Sequence, residues 1–570
     1  MVRSLLAIVG KEVRGMHEAA YLLAAAALGS QLLALVRDRL LAAHFGASHT
    51  LDVYYAAFRI PDFLFATVAS LLSLYALLPA LSRLGQKHSS LAISFLRQVL
   101  FVFFVAMGAI AGVAFFLAPW LLSFVAPGIA SPDLLFLTRL LLLQPILLGA
   151  SNIIASWTQL RHRFFLYSIS PLLYNLGIIA GIVLLYPRFG LAGLGWGVVL
   201  GAALHMLVQL PFFVGDKPAR MAGAVRSGGK EQQHIPLRLL YKELSAVLGL
   251  SVPRTLALAA GQISLLVLVA IASFLTPGSI AVFMFAFNLQ AVPLTIIGVS
   301  YSVAAFPTLA RLHAQGDRTE FIRYIEGALR HIFFWAIPAT VFVVVLRAQL
   351  VRVILGAGAF SWDATRLVAA ALALFIISLA AQSATLLIAR GYYAAGNSKK
   401  PLYFGAVDVL VSVGAGLALI SLFHWSGFMR AFIESLLRVA DVPGSTVLML
   451  ALGLSLGSVV EFLVGFAFFT RDFTLSRLRI GSLIFQSFAA AVLGGAVAYL
   501  VLFYTGAAGT INTALGLVVQ GAIAGVLGLG TTGLVLALLK NQELAEVVGA
   551  FRRRFKDTPG VPLEPTDISS

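Results

Sequence analysis

An arginine, lysine or aspartate at the centre of a bilayer costs about 2.5 to 3.5 kcal/mol on insertion scales, so the few found inside long apolar runs are the first places to look for chemistry. In this chain they are Arg37, Asp38 and Arg39; Asp52, Arg59 and Asp62; and Arg97, Arg139, Arg254, Asp408 and Glu461. Asp52, Tyr55, Arg59 and Asp62 recur three or four residues apart, the spacing of one helix face, and should form a polar stripe. Pro61 removes a backbone donor beside Arg59 and is expected to bend that helix, opening the stripe toward a cavity. Arg37, two-thirds along the preceding helix, would face the stripe if the two helices pack as a hairpin. A guanidinium fork in a low-dielectric cavity suits bidentate capture of phosphate oxygens, so a phosphate-bearing lipid is the substrate class that these residues suggest.

A plainer reading stands beside each of these. Arg97 and Arg139 lie within about two turns of their helix starts, where long cationic side chains snorkel to a headgroup layer or pair locally. The stripe could be structural ion pairing. Asp408 and Glu461 either couple to a cation or proton or hydrogen-bond to a neighbouring helix. Asn152, Asn175, Gln262, Asn288 and Gln290 read as interhelical hydrogen-bonding residues before substrate contacts. The ten histidines show no paired spacing for a metal, and zero cysteines exclude disulfides and thiolate ligands. No metal and no cofactor is expected. Gly528-Leu529-Gly530-Thr531-Thr532-Gly533 matches a dinucleotide fingerprint but lies in an apolar helix with no strand before it, so close helix packing explains it better. Gly228-Gly229-Lys230-Glu231 resembles the end of a phosphate-binding loop, but Glu stands where a Ser or Thr must hold magnesium, so no nucleotide hydrolysis is expected.

The elements that must position these residues are membrane helices. Of 570 residues 60% are hydrophobic and only 11% charged, with a mean hydropathy of +0.96, against about 25% charged in soluble domains. Apolar runs of about 20 residues, enough to cross about 30 Å of hydrocarbon as a helix, recur from end to end. They do not alternate as barrel strands would. The fold class expected is an all-α polytopic membrane protein of about fourteen transmembrane helices, near residues 18–44, 51–83, 90–119, 132–158, 164–187, 191–214, 244–275, 278–311, 320–346, 364–390, 401–423, 446–470, 479–504 and 512–540. The start MVRSLLAIVGKEVRG lacks a small-residue cleavage site, so the first helix is expected to stay in the membrane.

The formal charge of +17 raises a nucleic-acid partner, but the basic residues concentrate in alternate connections. They include Arg83 and Lys87, Arg161 and Arg163, the group from Lys217 to Lys242, Lys399 and Lys400, and Lys540 to Lys556. By the positive-inside rule this is topology, with both termini cytoplasmic. The tail segment from Phe551 to Lys556 then lies beside an anionic leaflet, where each cation gains about 1 kcal/mol.

The chain also repeats itself. Ala57-Phe58-Arg59 recurs as Ala286-Phe287-Asn288, Leu78-Pro79-Ala80-Leu81 as Phe306-Pro307-Thr308-Leu309, and Pro171-Leu172 as Pro401-Leu402, at offsets of 229, 228 and 230 residues. Six helices separate each pair, so the halves should be related by a pseudo-two-fold axis along the membrane normal, with a substrate path at their interface. The expected organisation is a six-helix half over 1–214, a Gly- and Lys-rich cytoplasmic linker over 215–243, a second six-helix half over 244–472, two further helices over 473–541 and a basic tail over 542–570.

The segment LVRDRLLAAHFGASHTLDVYYAAFRIPDFLF from Leu35 to Phe65 resembles the lipid II flippase family, MurJ or MviN. So do Gly261 to Leu275, Gly298 to Leu312 with its FPTLARL, and RGYYAAGNSKKPL from Arg390 to Leu402. The resemblance covers essentially the whole chain. It implies a fold of the MOP superfamily, with two six-helix halves and two C-terminal helices. It also implies a bacterial inner-membrane flippase that moves undecaprenyl-diphosphate-linked peptidoglycan precursor between leaflets by alternating access, serving cell-wall synthesis. The family's cationic central cavity carries over at Arg37-Asp38 and at Asp52. The arginine six positions before Arg37 is Gln31 here, beside a retained Ser30; the arginine usual on helix 2 falls at Phe65, the acid after it at Ser70, and the arginine usual on helix 8 at Asn288. Arg59 and Arg254, at other positions, would restore positive potential. The substrate-binding set expected is thus Ser30, Gln31, Arg37, Asp38, Asp52, Arg59, Arg254 and Asn288, with Asp408 and Glu461 as coupling residues. The partners expected are an anionic lipid-linked substrate and membrane lipids, with no nucleic acid. An exporter of another polyprenyl-linked glycan or of a drug is the sibling alternative, and a membrane-embedded enzyme on polyprenyl phosphates the alternative of another class.

Overall fold

The computed structural model describes residues 16–72, 74–87, 89–161, 163–214, 236–473, 477–507 and 513–556. The expected linker falls largely outside them, as do the first fifteen residues and the last fourteen. Among the described residues every regular element is a helix. Ten helices among the described residues are long and apolar enough to cross a membrane, or twelve if each of two bent pairs is one span, so the chain is a multi-pass membrane protein.

The fourteen expected spans correspond to α1 (Met16–Phe45), α2 (His49–Thr67, bent by 40° into Ala69–Gly85), α3 (Ser89–Val125), α4 (Pro132–Leu160), α5 (Phe164–Phe189), α6 (Leu191–Phe213), α7 (Leu237–Ala272), α8 (Ser279–Ala314), α9 (Arg318–Leu355), α10 (Trp362–Ile376, bent by 45° into Leu379–Ala394), α11 (Lys399–Trp425), α12 (Val447–Phe473), α13 (Arg477–Ala507) and α14 (Ala514–Leu538). A short helix, Gly427–Leu437, lies between α11 and α12, and α15 (Gln542–Lys556) ends the described chain. The two expected spans that the structure does not count by length and apolarity are α1 and α7, helices of 30 and 36 residues. They are also where Arg37, Asp38, Arg39 and Arg254 interrupt the apolar run.

The bend expected at Pro61 is placed differently. The α2 ladder is interrupted at Phe58, one turn before the proline, and the 40° bend follows Thr67. There the hydroxyls of Thr67 and Ser70 donate to the carbonyls of Phe63 (2.6 Å) and Ala66. Such back-bonding competes with the backbone ladder and bends helices. A 3-10 turn, Ala69–Leu72, completes the break.

The chain divides into two compact units. The larger comprises 1–292, 350–378 and 395–468; the smaller comprises 293–349, 379–394 and 469–570. In the larger unit α5 and α6 approach almost backbone to backbone. A Cβ on Gly177 would lie 2.3 Å from the Gly201 Cα, and one on Gly181 2.5 Å from the Gly197 Cα. Helices α11 and α12 meet in the same manner, with Gly453 against Gly416. Small residues let helices touch closely where lipid offers no hydrophobic drive for association. In the smaller unit α13 and α14 form a hairpin in which a Cβ on Gly528 would meet the Gly494 carbonyl at 2.8 Å and the Phe342 ring at 2.6 Å. The dinucleotide look-alike is thus a helix seam. Helix α15 docks through the ion pair of Glu543 with Arg330 and a polar contact of Glu546 with His331, while Leu544 and Val547 pack on Phe334 and Leu536.

Candidate functional site

Within the larger unit α1, α2, α4, α5, α7 and α8 surround a cavity of about 300 Å³ whose lining includes Arg37, Tyr55, Arg59, Asp62, Gln144, Tyr174, Gln262 and Asn288. Helical spacing is what brings the α2 members there: Tyr55, Arg59 and Asp62 share one face. Arg59 is 5% exposed, donates from Nε to the Tyr55 carbonyl (3.2 Å) and pairs with Asp62 at 3.4 Å. Asp62 also accepts from Gln144 Nε2 at 3.5 Å.

Arg37 reaches the cavity from α1. Its Nε and Nη2 donate to one oxygen of the buried Asp38 at 2.9 and 2.8 Å, and Nη1 donates to Asn175 on α5 at 3.3 Å. The second Asp38 oxygen accepts from Asn288 Nδ2 at 3.1 Å. Asn175 in turn donates to Ser30, at 3.3 Å to its hydroxyl. Arg37, Asp38, Asn288, Asn175 and Ser30 are thus one connected network. Asn175 and Asn288 are interhelical hydrogen-bonding residues, as expected, and Asn288 lines the cavity as well.

An arginine has five N–H donors in a rigid fork. Arg37 uses three on Asp38 and Asn175, and Arg59 uses two on Tyr55 and Asp62. The remaining N–H groups can meet an anion without either ion pair breaking. The buried Tyr55 hydroxyl and the Gln144 carbonyl oxygen have no hydrogen-bond partner, and such groups are normally satisfied by water or ligand.

Asp52 stands apart from this set, although its spacing from Arg59 puts it in the same stripe. It is 2% exposed and accepts from the backbone amides of Gly278 (2.5 Å) and Ala281 (2.8 Å), capping the first turn of α8. A helix N-terminus attracts a carboxylate through its free amides and dipole. The cap belongs to a closure at this end of the larger unit. The Ala359 amide donates to the Ala43 carbonyl at 2.8 Å, and Arg39 donates to the Val353 carbonyl at 2.6 Å. Gly278, at φ 91°, lies so close to the α1–α2 turn that a Cβ would sit 2.4 Å from the Ala47 carbonyl.

Gln31 is half-buried on α1 and does not line the cavity. Arg254 lies on α7, with its side chain outside the described residues. Asp408 and Glu461 form a separate site on α11 and α12. Asp408 accepts from the hydroxyls of Ser264 and Ser412, each at 3.1 Å, and Glu461 is within electrostatic reach of it. Gln144 and Tyr174 escaped the sequence reading. A lone amide beside Pro145 in an apolar run was the available signal for the first; the second had none beyond its neighbour Asn175.

This fold recurs in solved transporter structures of the MOP class. It matches a lipid II flippase MurJ in an inward closed conformation, with a TM-score of 0.67 at 20% identity over 91% of this chain and 100% of that one. It also matches an inward-facing multidrug-resistance MATE transporter of the MOP superfamily, with a TM-score of 0.61 at 14% identity over 80% and 95%. The family described as "Lipid II flippase MurJ" matches residues 41–519, and the chain belongs to it. Its relatives include the lipid II flippase MurJ of Burkholderia cenocepacia, 28% identical over 67% of this chain and 74% of that one. The probable lipid II flippase MurJ of Thermotoga maritima is 26% identical over 91% and 96%.

Proposed function

We propose that this protein is a flippase, not an enzyme, which carries lipid II, the undecaprenyl-diphosphate-linked peptidoglycan precursor, from the inner to the outer leaflet of a bacterial inner membrane. The observation that carries the proposal is the pairing of Arg37 with Arg59 in one membrane-embedded cavity, each keeping N–H donors unused. A diphosphate offers acceptor oxygens in the planar geometry that guanidinium forks match. Membership of the family and the names of its relatives point the same way.

The cavity draws residues up to Ile178 and residues from Gln262 to Asn288. This supports a path between two six-helix halves, 1–214 and 244–472, joined by the 215–243 linker and followed by α13 and α14. With both termini cytoplasmic, the Asp52 closure seals the outer end, and release requires Gly278 and Ala281 to leave that carboxylate. Arg37, Arg59 and Asn288 are the substrate-facing residues; Asp38 and Ser30 orient Arg37 and Asn175; Arg254 adds positive potential, and Gln31 contributes a neutral amide on α1. Asp408 and Glu461 take a cation or protons and couple them to the cycle.

The nearly balanced charge of the cavity, two arginines facing Asp38 and Asp62, keeps the exporter of a different lipid-linked glycan as the second reading. Complementation of a flippase-depleted cell separates them. The chain should restore growth and lipid II externalisation, and Arg37→Glu should abolish both while the protein still reaches the membrane. Growth without externalised lipid II, or full activity of Arg37→Glu, rejects the assignment.

A further inference from the structure

A second cleft lies away from the cavity, on the face of the larger unit formed by α3, α4 and α6. It encloses about 660 Å³, within the range of about 300–1,000 Å³ typical of small-molecule sites. Its floor is made by two glycines of α3, Gly108 and Gly112, where an added Cβ would meet nothing within 4 Å. Its walls are apolar, with Phe115, Phe136 and Trp196 each between 40% and 49% exposed.

One charge enters it. Arg139, two turns into α4, lies with its guanidinium 4.6 Å over the Phe115 ring. Its Nε donates to the Phe115 carbonyl at 3.1 Å. That carbonyl is available because its ordinary helical donor would be residue 119, which is Pro119. The proline therefore anchors the arginine by its Nε and leaves the Nη fork directed elsewhere. No Asp or Glu is among the residues lining the cleft. A cation fixed at membrane depth beside apolar walls calls for an anion delivered by the bilayer, and a phosphodiester fits the fork in two-point fashion. Tryptophan is enriched at the headgroup level, and Trp196 lines the same cleft.

We infer that this cleft binds one anionic phospholipid, its phosphodiester on Arg139 and an acyl chain laid over Gly108 and Gly112. The site does not depend on the substrate assigned to the central cavity. Native mass spectrometry of the full chain in mild detergent, titrated with phosphatidylglycerol or phosphatidylcholine, tests it. The unaltered protein should retain one phosphatidylglycerol per chain in preference to phosphatidylcholine. Arg139→Gln should weaken that retention by about tenfold or more, and Gly112→Leu should weaken it as much with Arg139 intact, by filling the floor. Gly108→Leu gives a second filling, and melting temperatures equal to the parent's establish that the variants are folded. Unchanged phosphatidylglycerol retention in Arg139→Gln and in the filled variants overturns the site. Preference for a polyprenyl diphosphate over phosphatidylglycerol overturns the assigned occupant.

Discussion

Two sites in the larger unit hold carboxylates in opposite company. In the central cavity Asp38 and Asp62 each face a guanidinium, Arg37 and Arg59. At the α11–α12 site Asp408 has only the hydroxyls of Ser264 and Ser412, with a second acid, Glu461, nearby. The first arrangement neutralises its own acids and leaves N–H donors over, which suits an incoming anion. The second has no cation among these contacts, which suits an incoming cation or proton.

The comparison breaks most visibly if the cavity arginines are dispensable. Arg59→Ala leaves Asp62 without its cation. Transport in a vesicle assay should fall at least a hundredfold, with about 3 kcal/mol of stability lost, read as a drop of several degrees in melting temperature. Retained transport would make the pair purely structural. A smaller effect is expected at the acid site. Glu461→Gln with Asp408→Asn should leave the cavity's affinity for substrate unchanged and remove the dependence of transport on an imposed cation or proton gradient, a change of about tenfold. Dependence that survives both substitutions would return these acids to helix packing.

Smaller still is the effect of loosening the closed end. Asp52→Asn weakens a helix cap worth about 1 kcal/mol, so a cysteine placed at Met284 in this cysteine-free chain should be labelled about fivefold faster by an impermeant thiol reagent added outside. Unchanged labelling would show that Asp52 does not hold the closure. The least effect is expected at Asp441, an exposed carboxylate that Arg366 grips from two nitrogens and holds below its ordinary titration range. A depressed carboxyl contributes stability above its unfolded pKa and loses it as pH falls through the folded value. Asp441→Asn should therefore leave the melting temperature at pH 7 nearly unchanged and slightly flatten its decline in acid below about pH 4.

Much of this architecture could be read before the structure, because a lipid solvent demands long apolar helices and tolerates few charges among them. The spacing of Tyr55, Arg59 and Asp62 was enough to put Arg59 on the cavity; Arg37 joins it from α1, which packs chiefly on α5 and not along α2 as a hairpin would. Asp52 defeated the same reasoning. Its helical spacing is right, but its partners are main-chain amides 226 and 229 residues away, and backbone donors have no signature in side-chain pattern. Pro61 misled for a related reason: the competing hydroxyls of Thr67 and Ser70 fixed the bend further along. Gln144 and Tyr174 come from helices whose approach to α2 depends on packing, not on local periodicity.

The closure around Gly278 has main-chain atoms on at least one side of each contact: amides of Gly278 and Ala281 on the Asp52 carboxylate, the Ala359 amide on the Ala43 carbonyl, Gly278 against the Ala47 carbonyl. Swapping side chains at Ala43, Ala47 or Ala359 would leave those atoms where they are. An engineer wishing to trap the opposite state of this carrier would do better to thicken a glycine than to rewrite its neighbours, since one methyl at position 278 wedges apart what many surface changes would leave shut.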